Sequence, residues 1–435
     1  MDGKEIVWQN KEYSFFSWSI QSAVNPIPMA RAERVYFWDT EGKRYLDFSS
    51  QLMNLNIGHQ HPKVVRAIQE QAATLCYAHP SMATEPRGLA AKKIAEVTPG
   101  NLKKTFFCLG GAEANENAIK MARMVTGRHK ILARYRSYHG ATYGAIALTG
   151  DYRRLPVEPA MPGVVHFLDP FCYRCPFGWT RETCHRECIT HVEEVIRYEG
   201  PDRIAAIIME GVTGSNGLIV PPDDYWPRIR EICDQNGILL ISDEVMSGWG
   251  RTGKWFAVDH WNVVPDIITT AKGLTAGYVP LGAVIVTEQI AQYFEDRMLW
   301  CGLTYSGHPL ACAAAVATIA VYEEDHLIEN AAKLGGYLGE RLEDIKIKHP
   351  SVGDVRYIGL FSALELVENR LTKKPMNGLV AFGKFLRDQG LFTFIFQNVV
   401  FVVPPLCINQ KELDEGLEII ENALTQVSDV AIENS

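Results

Sequence analysis

The chain has 435 residues, 47% of them apolar and 22% charged. This balance excludes a disordered chain and allows one large domain with a smaller companion. A formal net charge of −8 gives no bulk attraction to nucleic acid or anionic lipid, so neither is expected as a partner. The opening residues carry no basic segment followed by an apolar run, and the longest apolar stretch, Pro309 to Tyr322, is shorter than the ~20 residues of a membrane span. The expectation is a cytoplasmic protein without membrane contact.

The first 60 residues read as an extended arm followed by a hairpin, Val35–Asp39 and Arg44–Phe48, turned by Thr40–Lys43. His61-Pro62 opens a helix running to Cys76. From Lys103 to about Thr287, apolar runs alternate with amphipathic helices. The runs are Lys104–Leu109, Lys130–Tyr135, Ile204–Met209, Ile238–Ser242, Ile267–Thr270 and Ala283–Val286. Several are continuously apolar, as in strands covered on both faces. Trp226–Asn236 between two of them is a helix closed by Gly237. Alternation of this kind predicts βαβ units and a mostly parallel sheet. A long helical region, Leu310 to Lys348, leads to short strands (Gly359–Leu366, Val399–Val403) and helices (Asn377–Gln389, Gln410–Val427). The predicted fold class is α/β: a large domain over residues 63–322, and a small α+β domain built from residues 1–62 and 323–435.

Four segments carry candidate chemistry. At Leu109-Gly110-Gly111-Ala112 a strand turns into a helix, whose first N–H groups form an anion site; an ordinary strand–helix turn reads the same way. Tyr138 follows a strand and could stack on a planar ring or simply pack. Asp243 and Glu244 end the apolar run Leu239–Ser242, where α/β sheets bind ligands. An acid there needs a cation, and a protonated pyridine nitrogen, a metal or a helix cap would each serve. Lys272, in Ala271-Lys272-Gly273, follows another strand; desolvated, its amine becomes a nucleophile. Each signal alone is weak. In this order, phosphate turn, stacking aromatic, strand-end acid and strand-end lysine are the parts of a pyridoxal-phosphate site.

Over nearly its whole length the sequence resembles the class III, or ω-type, aminotransferases of the fold-type I pyridoxal-phosphate enzymes. The resemblance is carried by Ile241 through Ala257, Pro265-Asp266-Ile267, Ala271-Lys272-Gly273, Leu303 through Pro309 and Pro404-Pro405-Leu406. The ω-amine and taurine:pyruvate subgroup is the most similar. The resemblance implies an enzyme that moves an amino group from an amine or ω-amino donor to a keto acid or aldehyde by a ping-pong cycle. Lys272 would be the Schiff-base lysine and proton shuttle, and Asp243 the partner of the pyridine nitrogen. Tyr138 and Val245 would lie on the two ring faces, Gly111 and Ala112 at the phosphate, and Glu210 near the cofactor. Thr304 would reach the phosphate of a neighbouring subunit, which implies a homodimer with shared active sites, or a tetramer. Racemases, aminomutases and decarboxylases use the same scaffold and form the alternative reading.

Two pocket positions depart from the subgroup. Met53 stands where a tryptophan is common, and Phe396 where an arginine often grips a substrate carboxylate. With Trp18 they make up the candidate substrate pocket. A carboxylate would have to be bound from elsewhere, or the preferred substrates lack one near the reacting carbon; the expectation is a preference for hydrophobic amines, aldehydes or ketones. Cys172, Cys175, Cys184 and Cys188, in a Pro/Arg/Gly-rich loop, have part of a zinc-like spacing, but reduced structural thiols are the favoured reading and no metal is expected.

Overall fold

A computed structural model describes residues 2–433. Its centre is a seven-stranded sheet with the spatial order Leu102–Cys108, Gly282–Thr287, Ile267–Thr270, Leu239–Asp243, Ile204–Glu210, Lys130–Arg134 and Val164–Phe167. Neighbours run parallel except at Gly282–Thr287, which is antiparallel to both strands beside it. All seven residues of Ile204–Glu210 are buried. The continuous apolar runs in the sequence are thus strands covered by helices on both sides, and the fold class is the α/β class expected.

The two chain ends meet. Leu391–Phe392 pairs in parallel with Leu46–Asp47, completing a four-stranded sheet begun by Met29–Glu33, Tyr36–Asp39 and Arg44–Asp47. A further sheet joins Val352–Ile358, Phe361–Asn369, Val399–Val402 and Ile395–Phe396, with Lys374–Pro375 on its side.

Two expectations are corrected. The arm expected to be extended holds a helix, Gly3–Tyr13, because the Asp2 carboxylate caps it by accepting the Glu5 N–H at 2.8 Å. No residue of this helix is buried. The long helical region is two helices, Pro309–Glu324 and Leu327–Lys348, broken at His326, whose backbone is left-handed at φ 53°. Among the described residues no helix is long and apolar enough to cross a membrane.

Candidate active site

Asp243 ends a central strand, Glu210 ends the strand beside it, and Lys272 lies two residues beyond Thr270 on the other side. All three reach the same rim of the sheet, the edge where α/β folds bind ligands. The edge strand Leu102–Cys108 leads at that rim into the helix Gly111–Thr126. A cavity of about 470 Å³ there is lined by Gly111, Ala112, Tyr138, Glu210, Asp243, Val245 and Lys272. With Leu52 and Asn54, which also line it, residues from six separate stretches of the chain converge there.

Asp243 is buried and firmly oriented. Its Oδ2 accepts from Asn115 Nδ2 at 2.8 Å and lies 2.7 Å from His139 Nδ1; its Oδ1 accepts the Val245 N–H at 3.0 Å. Asn115 gives its other N–H to the His139 carbonyl, and its oxygen accepts from Thr269 Oγ1 at 2.6 Å. Its amide is therefore fully used, and the carboxylate is held from behind with lone-pair capacity left on Oδ1 for a cationic N–H. His139 and Asn115 are the functional neighbours that sequence reasoning missed. Asn115 lies three residues beyond Ala112 and His139 directly follows Tyr138, but their approach to Asp243 spans more than a hundred residues and leaves no local pattern.

Burial pushes the Lys272 amine below its usual 10.5; Asp243 and Glu210 pull it back up, and Arg153 depresses it further. Its backbone is left-handed, at φ 36°, a conformation that persists only where the surroundings impose it. Glu210 is buried with its carboxyl raised, chiefly by desolvation. It accepts the N–H of Tyr138 at 3.0 Å and of Gly214 at 2.7 Å. Glu244, beside Asp243, points the other way. It takes Ser242, Ser247 and the amides of Ala257 and Val258, and burial raises it to about 7. Of the two strand-end acids, only Asp243 lines the cavity.

The amides of Gly111 and Ala112, in the first turn of their 16-residue helix, have no intrahelical acceptor. A Cβ on Gly111 would lie 2.7 Å from Val245 Cγ1, so glycine is what lets this turn close over Val245. Free amides at a helix start, an oriented carboxylate, a buried lysine whose pKa is lowered and a cavity of ligand size fit a phosphorylated pyridine aldehyde.

Outside the cavity lining, against Tyr138, stands a cation that the sequence did not point to. The Arg153 guanidinium lies 4.1 Å from the Tyr138 ring centroid, 5.2 Å from that of Phe396 and 5.9 Å from that of Trp18. It is held by Asp151 and by Ser215 Oγ at 2.9 Å, and the Arg153 and Asp151 side chains are only 9% exposed. Trp18 itself is exposed and meets Tyr138 edge-on at 6.1 Å. Phe396, half-buried, stacks on Tyr152 at 6.0 Å and lies outside the cavity lining.

Met53 does not line the pocket. It is 1% exposed within the core, and Leu52 lines the cavity in its place, because left-handed residues on both sides of Leu52 turn that side chain outward. Thr304 is exposed and does not line its own chain's cavity; its carbonyl accepts from Tyr77 Oη at 2.9 Å. Cys172, Cys175, Cys184 and Cys188 carry free thiols, the last of them inside the helix Glu187–Glu199 and not in the loop expected, and among the described residues no group of three or more His, Cys, Asp or Glu is placed to hold a metal ion.

The sheet, the rim and the lysine–carboxylate pair define an α/β enzyme with the parts of a pyridoxal-phosphate site. The family model for "Aminotransferase class-III" matches residues 19–424, and the chain belongs to that family. The structure of a taurine:2-oxoglutarate aminotransferase from Bifidobacterium kashiwanohense, in complex with PLP and glutamate, is 44% identical, with a TM-score of 0.95 over 99% of each chain. A leucine/methionine racemase of Thermococcus litoralis is 40% identical over 93% of this chain and 92% of its own. A taurine–pyruvate aminotransferase of Bilophila wadsworthia is 34% identical over 98% of both. The protein is a class III aminotransferase with pyridoxal 5′-phosphate as cofactor, moving amino groups between small amines and keto acids.

Proposed function

We propose that Lys272 carries the cofactor and moves the proton of the reaction, and that Asp243 holds the cofactor's ring nitrogen in its charged form. When bound, pyridoxal phosphate supplies the electron sink for the carbon that loses its proton. Lys272 Nζ, whose hold on its proton burial weakens, would hold the cofactor and serve as base and acid at the substrate carbon. Asp243 stays fixed by Asn115, His139 and the Val245 amide, so no reorganisation is needed when charge develops. Tyr138 and Val245 would bracket the ring and the Gly111 and Ala112 amides would receive the phosphate, while Glu210 accepts the Tyr138 N–H and so fixes the backbone that bears that ring. The observation that carries this reading is the meeting of Lys272 and Asp243 in one cavity.

The donor and acceptor carry an acid group, which Arg153 anchors. The arginine missing at Phe396 is thereby replaced from another segment, in accord with the acid-bearing substrates named for the taurine aminotransferases. Uncharged hydrophobic amines are second-rank donors. The active unit is a homodimer. Thr304 faces outward beside the exposed rings of Tyr77 and Tyr305, which meet at 6.1 Å, an apolar surface suited to a second subunit. We further propose that residues 63–322 form the cofactor-binding domain and that 1–62 with 323–435 form the smaller one.

The test follows the visible absorbance of the holoenzyme through two half-reactions. Taurine or another amino acid alone should remove the lysine-bound band, and a keto acid should restore it while an amino acid forms. An amine that perturbs the band with no carbonyl product would overturn transamination in favour of racemisation, the activity named for the Thermococcus relative.

A further inference from the structure

One wall of the cavity stands on a strained turn. Leu52 and Asn54 line the cavity, yet Ser50, Gln51 and Met53 around them have φ of 46°, 60° and 51°, and Gln51 has ψ −76°. None of the three is glycine, so each is held where a residue with a Cβ is disfavoured. Such a backbone persists only where its surroundings over-determine it.

Two buried charged groups do this. The Asp47 carboxylate accepts the N–H groups of Ser49 and Gln51 at 3.1 Å and Gln51 Nε2 at 3.0 Å, and lies 2.9 Å from His59 Nε2. Arg251 is wholly buried. Its Nη2 donates to Ser50 Oγ at 3.1 Å and Asn56 Oδ1 at 2.9 Å, and its Nη1 to the carbonyls of Leu360 at 3.1 Å and Pro404 at 2.6 Å. Ser50 Oγ in turn donates to the Val403 carbonyl at 2.7 Å. Among the described residues Arg251 has no carboxylate within ion-pairing distance. A planar fork spread over four neutral oxygens is a poor device for stability and a good one for fixing the relative placement of the segments it joins.

We propose that Asp47 and Arg251 are positioning residues for substrate size: they hold the strained 50–53 turn so that Leu52 limits the bulk of the amine admitted to the cavity. The inference rests on this cavity being the active site, but not on Arg153 or on any acid group of the substrate. The test therefore uses two amines without an acid, 2-aminopropane and 1-phenylethylamine, and reads kcat/KM for each with the holoenzyme. Leu52→Ala should raise the ratio in favour of the bulky amine about tenfold, the scale at which an apolar pocket discriminates. Asp47→Asn should move the ratio the same way through KM. Gln51→Gly relieves the backbone, so it should leave Tm unchanged or higher while shifting the ratio as well. A merely structural turn would change Tm and leave the ratio alone. If Leu52→Ala shifts the ratio and both Asp47→Asn and Gln51→Gly leave it fixed, the positioning role is wrong. If Leu52→Ala shifts nothing while both amines still react, Leu52 does not bound the pocket, and the proposal falls although the aminotransferase assignment stands.

Discussion

Replacing Arg153 with glutamine tests the substrate class directly, and the size of the effect follows from its donors. The guanidinium has five N–H groups. Nε is taken by Asp151, and the two on Nη2 go to Asp151 Oδ2 and Ser215 Oγ. Nη1 donates to no protein atom among the described residues, so it is the end left for a substrate acid. One charge-assisted hydrogen bond is worth ~2 kcal/mol, or roughly 30-fold in kcat/KM. The single variant should lose more than that. It also frees the Asp151 carboxylate, 9% exposed, to repel the incoming anion. In an Asp151→Asn, Arg153→Gln double variant the loss should settle near the ~30-fold of the bond alone. The assay compares kcat/KM for taurine and for 2-aminopropane at saturating pyruvate. The neutral amine should change little or improve, since a cation in an aromatic box contributes nothing to its binding. Equal losses for both amines would refute the anchor and return the reading to a pocket made for uncharged substrates.

Two further outcomes follow from the same geometry. Asp243→Asn should lower kcat by roughly 100-fold or more, the scale seen when one preorganised electrostatic partner is removed, with the cofactor still bound; unchanged turnover would remove Asp243 from the mechanism. The capture of added pyridoxal phosphate by the apoenzyme should accelerate as pH rises through the Lys272 pKa, because only the unprotonated amine attacks. Since burial lowers that pKa, the midpoint should fall below 10.5. Arg153 lowers it and Glu210 raises it, so Arg153→Gln should move the midpoint up and Glu210→Gln should move it down. Shifts of the opposite sign, followed by stopped-flow absorbance, would show that these charges do not act on Lys272.

The sequence by itself determined the architecture and the principal chemical groups. Continuous apolar runs such as Ile204–Met209 pointed to strands covered on both sides, and the strand Ile204–Glu210 is buried throughout. Asp243 and Lys272 were legible because they end such runs, and strand ends are where this class of sheet binds ligands. Local signals also placed Gly237, left-handed at φ 59°, at the end of its helix. Only the tertiary structure decided how the site is supported. His139 and Asn115 reach Asp243 from 104 and 128 residues away. Arg153 arrives on a short 3-10 helix, Tyr152–Val157, with no motif of its own, and Leu52 takes the place expected of Met53 because the turn beneath it is strained. These are contacts between segments remote in sequence. Hydrophobic periodicity fixes which face of an element is buried but carries no record of which distant side chain arrives there, so positions set by packing and long-range hydrogen bonds emerge only once the chain has folded.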